Sequence, residues 1–386
     1  MSRRVCVITG SRADFGHLSS VMRAIDSHNA LTLQIIVTGQ HLDPRFGETW
    51  RNIEDEGFAI DAKVDIDLGD DTPLAAAKAV GNAVHRISDS LADLAPDIIV
   101  VLGDRFEILG AAEAALMLNI PIAHVHGGEA TEAAVDDSIR HAITKMARLH
   151  FCAAAPYAKR LRQMGEDPAN IHMVGAPGLD HLDTLKRLNR EKLAEDLGIK
   201  LSSPLFVITH HPVTLHLDQG AAEISALTNA LDHFESTAMV FTGVNSDPGY
   251  AFIQGALNVF AEKDTQRRCV VTSLGYQRYL SLLSIADVVI GNSSSGLIEA
   301  PAIGVPTVNI GDRQKGRLRG PLVIDSAADT TAIVAAIKQA MDSSFRKHGE
   351  GKDPPYGRGG VGLKIAKVLA KTALDSIQEK RFYDLP

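Results

Sequence analysis

Cysteine is scarce in this sequence. Cys6, Cys152 and Cys269 are the only three thiols in 386 residues, and they lie far apart inside apolar runs. That number and spacing fit reduced core thiols and argue against a disulfide framework or a thiolate zinc site. Positive charge is not in excess either: 39 Lys and Arg stand against 47 Asp and Glu, a net charge of −8. No overall basic field therefore draws the chain to nucleic acid or to an anionic membrane, and a polyanionic ligand has to be met by local cations. No run approaches the roughly 18 uncharged apolar residues of a membrane-spanning helix. The opening MSRRVCVITG carries only a short apolar run before Ser11, Arg12 and Asp14; it reads as a first strand rather than a signal peptide, and the expected location is cytoplasmic. Without a secretory signal, the sequon Asn292-Ser293-Ser294 has little force. Two common phosphate-binding patterns are missing as well. Gly10-Ser11-Arg12-Ala13-Asp14-Phe15-Gly16 is not G-x-G-x-x-G, and no segment matches G-x-x-x-x-G-K-[ST], which removes support for a nicotinamide dehydrogenase or a P-loop nucleotidase.

What is present is a composition 45% hydrophobic and 22% charged, with 32 Gly and 16 Pro, close to globular averages and unlike collagen or long disorder. At about 150 residues per domain, the length favours two large domains. Short Val/Ile-rich runs alternate with amphipathic stretches, the signature of parallel α/β sheets. Predicted strands in the first half are Val5–Gly10, Leu33–Thr38, Asp97–Asp104, Pro121–His126 and His150–Ala154, with helices over Leu74–Leu94, Glu107–Leu118 and Ser138–Ala147. The pattern weakens after Val174. A second series then runs through Leu205–Thr209, Ala238–Thr242, Cys269–Thr272, Val288–Gly291, Thr307–Ile310 and Leu322–Ile324. A polar, glycine-rich segment, Lys347–Gly362, precedes a last helical pattern from Leu363 to Ser376. The expected organisation is an α/β unit over 1–185, onto which the C-terminal helix of 363–386 packs back, and a second α/β unit over 186–362, with a ligand held by both.

Functional side chains in such sheets gather where strands end. The strongest local signal is Val288–Ala300, a buried strand, a tight loop of small residues and a helix start. Ser293 and Ser294 offer hydroxyls there, and the N–H groups of the next helix's first turn would meet phosphate oxygens; the competing reading is an ordinary serine N-cap. Glu299, just beyond, is placed to accept hydrogen bonds from ribose hydroxyls, or is solvated surface. Arg12, in the turn after the first strand, and Arg105, after the strand ending at Asp104, could grip a diphosphate bidentately or form salt bridges to Asp14 or Glu107. The basic segment Gly311–Arg319 supplies further cations.

Acid–base candidates are Asp104 and the stretch His124–Ser138. Glu129 follows a Gly-Gly turn. Asp136 precedes a helix, either as its N-cap or as a catalyst, with Asp137 as its rival. His124 and His126 point to opposite faces if their strand is regular, so only one should face a ligand. No tight His/Cys spacing indicates a metal. His210-His211-Pro212 follows the first strand of the second unit; a histidine there could neutralise or protonate a leaving phosphate, or be a surface feature.

Together, the strings TGSRADFG, LGDRFE, HVHGGE, DDSIRHAITKM, HHPVT, GNSSSGLIE and NIGDRQKGR, running from near residue 8 to near residue 319, resemble the hydrolysing UDP-N-acetylglucosamine 2-epimerase family. The similarity is greatest to the bacterial sialic-acid and legionaminic-acid pathway branch, which the closing FYDLP also resembles. The resemblance implies two facing Rossmann-like domains of the glycosyltransferase-B type with a ligand cleft between them, no redox cofactor and, as is common in the family, a homodimer. It implies that Arg12, Arg105, His211, Asn245, Ser293, Ser294, Glu299 and Arg313 hold uridine diphosphate, and that Asp104 and Asp136 are catalytic. There is one departure. Many relatives place a catalytic glutamate where this chain has His126, so either His126 or Glu129 takes that role; the loop before Asp136 is also slightly longer.

The activity so implied converts a UDP-2-acetamido sugar of gluco configuration into the free manno epimer and UDP. The substrate is UDP-N-acetylglucosamine or its 2,4-diacetamido-2,4,6-trideoxy analogue, with GDP as an alternative to UDP. A C2–H with no carbonyl beside it is barely acidic, so departure of UDP must first build positive charge at C1. A carboxylate then removes the C2 proton, leaving a 2-acetamidoglycal that takes up water at C1 and a proton at C2 from the other face. Two faces need at least two acid–base groups. A non-hydrolysing epimerase, a glycosyltransferase of the same fold and a catalytically idle sugar-nucleotide sensor are the alternatives, the last suggested by His126.

Overall fold

The computed structural model describes residues 2–70, 72–131, 135–184, 186–212, 220–243, 249–272, 274–349, 352, 354–377 and 379–385. The chain forms two compact units, one made of Met1–Glu129, Val135–His181 and Tyr356–Pro386, the other built on Leu182–Pro355.

The first unit is a parallel sheet of seven strands among the described residues: β1 (Arg3–Thr9), β2 (Leu31–Thr38), β3 (Ala62–Val64), β4 (Ile98–Leu102), β5 (Ile122–Val125), β6 (Leu149–Cys152) and β7 (Ile171–Met173), in the order β3-β2-β1-β4-β5-β6-β7. Its central strands are continuous apolar runs because helices cover both faces. The pleat sorts them: Val5 and Val7 meet Leu18, Met22, Ile365 and Leu369 on one face, while Cys6 and Ile8 join Ala79, Ala83, Ala111 and Ala115 on the other. The three-residue strands β3 and β7 were not predicted. Both are too short for an alternating pattern to register.

The C-terminal helix Val361–Lys371 belongs to this unit. The Asp180 carboxylate accepts the N–H groups of Val361 and Gly362, each at 2.8 Å, and the Tyr157 and Tyr356 hydroxyls meet at 2.9 Å. A Cβ on Gly362 would lie 2.5 Å from the Ser20 carbonyl oxygen, so glycine lets this helix touch the helix Arg12–Asp26. These contacts move the unit boundaries to 181/182 and 355/356, from the expected 185/186 and 362/363.

The second unit is a parallel sheet of six strands among the described residues: β8 (Leu205–Thr209), β9 (Ala238–Thr242), β10 (Arg268–Val271), β11 (Val288–Gly291), β12 (Thr307–Ile310) and β13 (Val323–Ser326), in the order β10-β9-β8-β11-β12-β13. In each sheet the chain winds outward from a central strand and then reverses, between β1 and β4 and again between β8 and β11. At such a switch point the loops leave in opposite directions and open a crevice at the carboxyl ends of the strands. Among the described residues, no helix is long and apolar enough to cross a membrane. Cys6 and Cys152 are buried and Cys269 half-buried, all as free thiols.

Candidate active site

At the β1/β4 switch point the chain leaves β1 through Gly10 and enters the helix Arg12–Asp26, whose N-cap Ser11 accepts the Asp14 N–H at 3.3 Å. Arg12 is therefore the first residue of a helix and not part of an open turn. The Asp14 carboxylate folds back to accept the Gly10 N–H at 3.2 Å. Burial pushes the Asp14 carboxyl up to about 6, with the Arg105 guanidinium opposing and Glu107 adding to the rise. β4 stops at Leu102, two residues short of the expected end, because Gly103 turns the chain at φ +74°. Asp104 thus sits in the turn. Arg105 begins the helix Phe106–Met117 and is buried, its Nε donating to Glu107 Oε1 at 2.6 Å. Glu107 is thus one of its two expected partners.

The Asp104 carboxylate is ion-paired with Arg140, a fully buried side chain that also lies 3.8 Å from Asp137. Arg140 was not anticipated. An arginine inside an amphipathic helix carries no mark of burial until its acidic partner on another segment is known. Asp136 lies in the first turn of the helix Val135–Met146 rather than ahead of it, so a role as its N-cap does not hold.

His126 lies just past the end of β5 and has φ +64°, an uncommon conformation for a side chain of this size. The expected strand alternation with His124 therefore does not apply. His126 Nδ1 is 2.5 Å from Glu129 Oε1, and both side chains are buried. The turn that brings them together needs Gly128: at φ +80°, a Cβ there would fall 2.6 Å from the Tyr157 carbonyl oxygen, and Arg160 donates to the Gly128 carbonyl. His124 is fully enclosed, with Nε2 2.8 Å from the Gly103 carbonyl oxygen.

At the β8/β11 switch point a neutral side chain organises the loops. Asn292, fully buried, accepts the His211 N–H at 2.7 Å and donates to the His211 carbonyl at 2.9 Å. Its own carbonyl accepts from Gln314 at 2.8 Å and Arg313 at 3.3 Å. One residue thereby ties together the loops after β8, β11 and β12. The preceding Gly291 has φ +131°, and a Cβ there would stand 1.9 Å from the Thr209 carbonyl oxygen. Asn292 and Gln314 were missed; a lone amide has no periodicity to betray it.

The serine loop departs from expectation. Ser293 Oγ accepts the Ser295 N–H at 3.4 Å, and Tyr279 donates to Ser295 Oγ at 2.7 Å. The chain continues through a 3-10 turn, Ser294–Gly296, into a four-residue helix, Glu299–Ala302. A macrodipole argument from a long helix therefore does not apply, and hydroxyls and loop N–H groups are the donors on offer. Glu299 is 2% exposed, so it is not solvated surface. Nor are His210 and His211, both buried; His210 Nε2 lies 3.4 Å from Glu223 Oε2. In the basic segment, Arg319 is engaged by Asp325 at 3.0 Å. Asn245 lies outside the described residues. Among those described, no cluster of three or more His, Cys, Asp or Glu side chains is arranged to hold a metal ion.

Residues 23–370 match the UDP-N-acetylglucosamine 2-epimerase family. The chain is 38% identical over 384 residues, 99% of each chain, to a Campylobacter jejuni protein named GDP/UDP-N,N'-diacetylbacillosamine 2-epimerase (hydrolyzing). It is 33% identical, across 97% of this chain and 98% of the other, to a Legionella pneumophila UDP-N,N'-diacetylbacillosamine 2-epimerase (hydrolyzing). Its fold superposes with a TM-score of 0.81 on UDP-GlcNAc 2-epimerase from Neisseria meningitidis bound to UDP-GlcNAc, at 18% identity, covering 96% of this chain and 100% of that one. This chain belongs to the UDP-N-acetylglucosamine 2-epimerase family and is an enzyme of that type.

Proposed function

We propose that the enzyme hydrolyses a UDP-activated 2-acetamido sugar with inversion at C2, releasing UDP and the free manno-configured sugar. The sugar that fits best is the 2,4-diacetamido-2,4,6-trideoxy one, by analogy with the Campylobacter and Legionella relatives named for diacetylbacillosamine. The observation that carries the reading is an ion-paired carboxylate, Asp104, anchored by fully buried Arg140 at a sheet's switch point, in a chain related over its full length to those proteins.

In this reading the second unit takes the nucleotide. Ser293, Ser294 and Arg313 hold the diphosphate, Glu299 and Asn245 the nucleoside, and His211 stabilises the departing phosphate. Arg12 and Arg105 are assigned to the diphosphate by resemblance to the family. UDP leaves with both electrons of the C1–O bond, and the positive charge at C1 makes C2–H acidic. Asp104 or Asp136 removes that proton, and the electron pair of C2–H becomes the double bond of the 2-acetamidoglycal. Water then adds its oxygen to C1 while a proton reaches C2 from the opposite face.

His126 and Glu129 supply the group for that second face. At 2.5 Å the carboxylate orients the imidazole through Nδ1, leaving Nε2 as the proton-transfer atom. The pair then stands in for the catalytic glutamate expected at position 126. Incubation with UDP-N-acetylglucosamine, the UDP-2,4-diacetamido sugar and its GDP counterpart, with no acceptor present, tests the function. Free UDP and the manno product should form fastest from the UDP-diacetamido sugar. Binding without turnover on all three would leave a sugar-nucleotide sensor instead.

A further inference from the structure

We propose that His124 is a positioning residue for Asp104, and that Lys380 of the C-terminal segment steadies the same assembly through Thr144. The proposal rests on the catalytic reading of Asp104. β4 and β5 pair with Val101 opposite His124 and Leu102 opposite Val125, so the chain leaving β4 passes beside His124. Gly103 is the residue that turns it, at φ +74°, and a glycine there has no side chain with which to fix its own conformation. Both its backbone groups are held from outside: its N–H donates to the Val125 carbonyl at 2.9 Å and its carbonyl accepts from His124 Nε2 at 2.8 Å. That carbonyl belongs to the peptide plane leading into Asp104, so holding it sets the direction in which the Asp104 side chain departs.

The hydrogen-bond chemistry fixes the state of the ring. A carbonyl can only accept, so Nε2 carries the hydrogen, Nδ1 is a lone pair, and the Thr144 hydroxyl at 3.2 Å donates to it. Burial holds the His124 ring down to about 3, so it stays neutral through the working range. The ring is fully buried, and a Cβ at Gly127 would lie 3.0 Å from Nδ1. With both nitrogens engaged and no exposure, His124 has no path to substrate.

Thr144 also connects outward. Lys380 Nζ donates to the carbonyls of Thr144 at 3.0 Å and Ala147 at 2.7 Å, at the end of the helix Val135–Met146, where a cation also suits the helix dipole. Lys380 is seated by Glu166 at 2.6 Å, and the Glu166 carboxylate also receives Lys145 at 2.6 Å and His150 at 2.9 Å. The same helix carries Arg140. Asp104 is thus gripped twice from one helix: directly by Arg140 and, through Thr144 and His124, by its own backbone.

The test is steady-state kinetics on the full chain with His124→Phe, His124→Gln and Lys380→Met, alone and, for His124→Phe, combined with Asp104→Asn. Because misplacement of a catalytic group costs rate more than binding, His124→Phe should lower kcat about 10- to 100-fold with KM and UDP affinity within about twofold. His124→Gln, which can offer an amide N–H toward Gly103, should restore most of it, and Lys380→Met should lower kcat a few-fold in the same sense. In the Asp104→Asn background, His124→Phe should cost nothing further. Should His124→Phe fail to fold, Thr144→Val carries the same kcat expectation at smaller size. Wild-type kcat in a folded His124→Phe enzyme, a loss carried by KM, or additive losses with Asp104→Asn would overturn the positioning role while leaving Asp104 catalytic. A fully active Asp104→Asn enzyme would overturn the catalytic assignment and this proposal with it.

Discussion

The carboxyl end of β1 and β4 and that of β8 and β11 share one topology and carry opposite chemistry. The first gathers buried Asp14 with two ion pairs, Arg105–Glu107 and Arg140–Asp104. The second is organised by the neutral amide of Asn292, with Gln314 and the serine hydroxyls around it. Buried ion pairs seldom repay their desolvation in stability, so the charges of the first end are explained better by work on a substrate than by folding. At the second end the loops are fixed by neutral amide hydrogen bonds, while its carboxylates, Glu299 and Glu223, stand apart from that frame. A doubly wound sheet provides the crevice, and a few loop residues decide what it does.

The sharpest way to break the contrast is to neutralise its first end. Asp104→Asn should lower kcat by about 100- to 10,000-fold, the range of a lost proton-transfer group, while calorimetric UDP affinity stays near wild type. Normal turnover would remove Asp104 from the mechanism. Within the same end, His126→Ala and Glu129→Gln should each cost about 100-fold in single-turnover rate, and the double variant no more than the worse single one, because a dyad fails as a unit. Additive losses would separate the two residues.

How much of this contrast was legible beforehand depends on its physical origin. The central strands announce themselves, since a strand buried on both faces must be a run such as Ile98–Leu102. The same apolar signal overran at Asp104, where a single left-handed glycine ends the strand, and it failed for the helix Arg12–Asp26, whose helical stretch follows the first strand without a break. Asp104, Arg105, Ser293 and Glu299 could be singled out as candidates because they lie in segments that follow strand ends. Arg140, Asn292 and the hydrogen bond from His124 to Gly103 could not, because each depends on a partner far away in sequence.

Smaller effects sharpen the other end. Arg313→Ala should weaken UDP binding by about 1 to 3 kcal/mol, the cost of one charge-assisted contact, with kcat at saturation little changed. Unchanged affinity would remove Arg313 from the diphosphate site. The smallest effect concerns stability. Burial works to raise the Glu166 carboxyl, but hydrogen bonds and charge from His150, Lys145 and Lys380 outweigh it and hold it down to about 2, from an ordinary 4.5. A depressed carboxylate stabilises the fold above its unfolded value and loses that contribution as the pH falls from about 4.5 toward 2. Glu166→Gln should therefore be less stable at neutral pH and decline less steeply on acidification, as read by chemical denaturation across that window. Parallel curves would show that the pair does not link stability to pH.

The central claim is that UDP leaves by elimination and that the C2 hydrogen is exchanged before water is added. Turnover in D₂O, quenched early enough to precede ring-opening exchange in the free sugar, with the product read by mass spectrometry and proton NMR, tests it directly. The result expected is a manno-configured sugar carrying one deuterium at C2, released together with UDP. A sugar that keeps its hydrogen at C2 and its gluco configuration would contradict elimination and leave a simple sugar-nucleotide hydrolase.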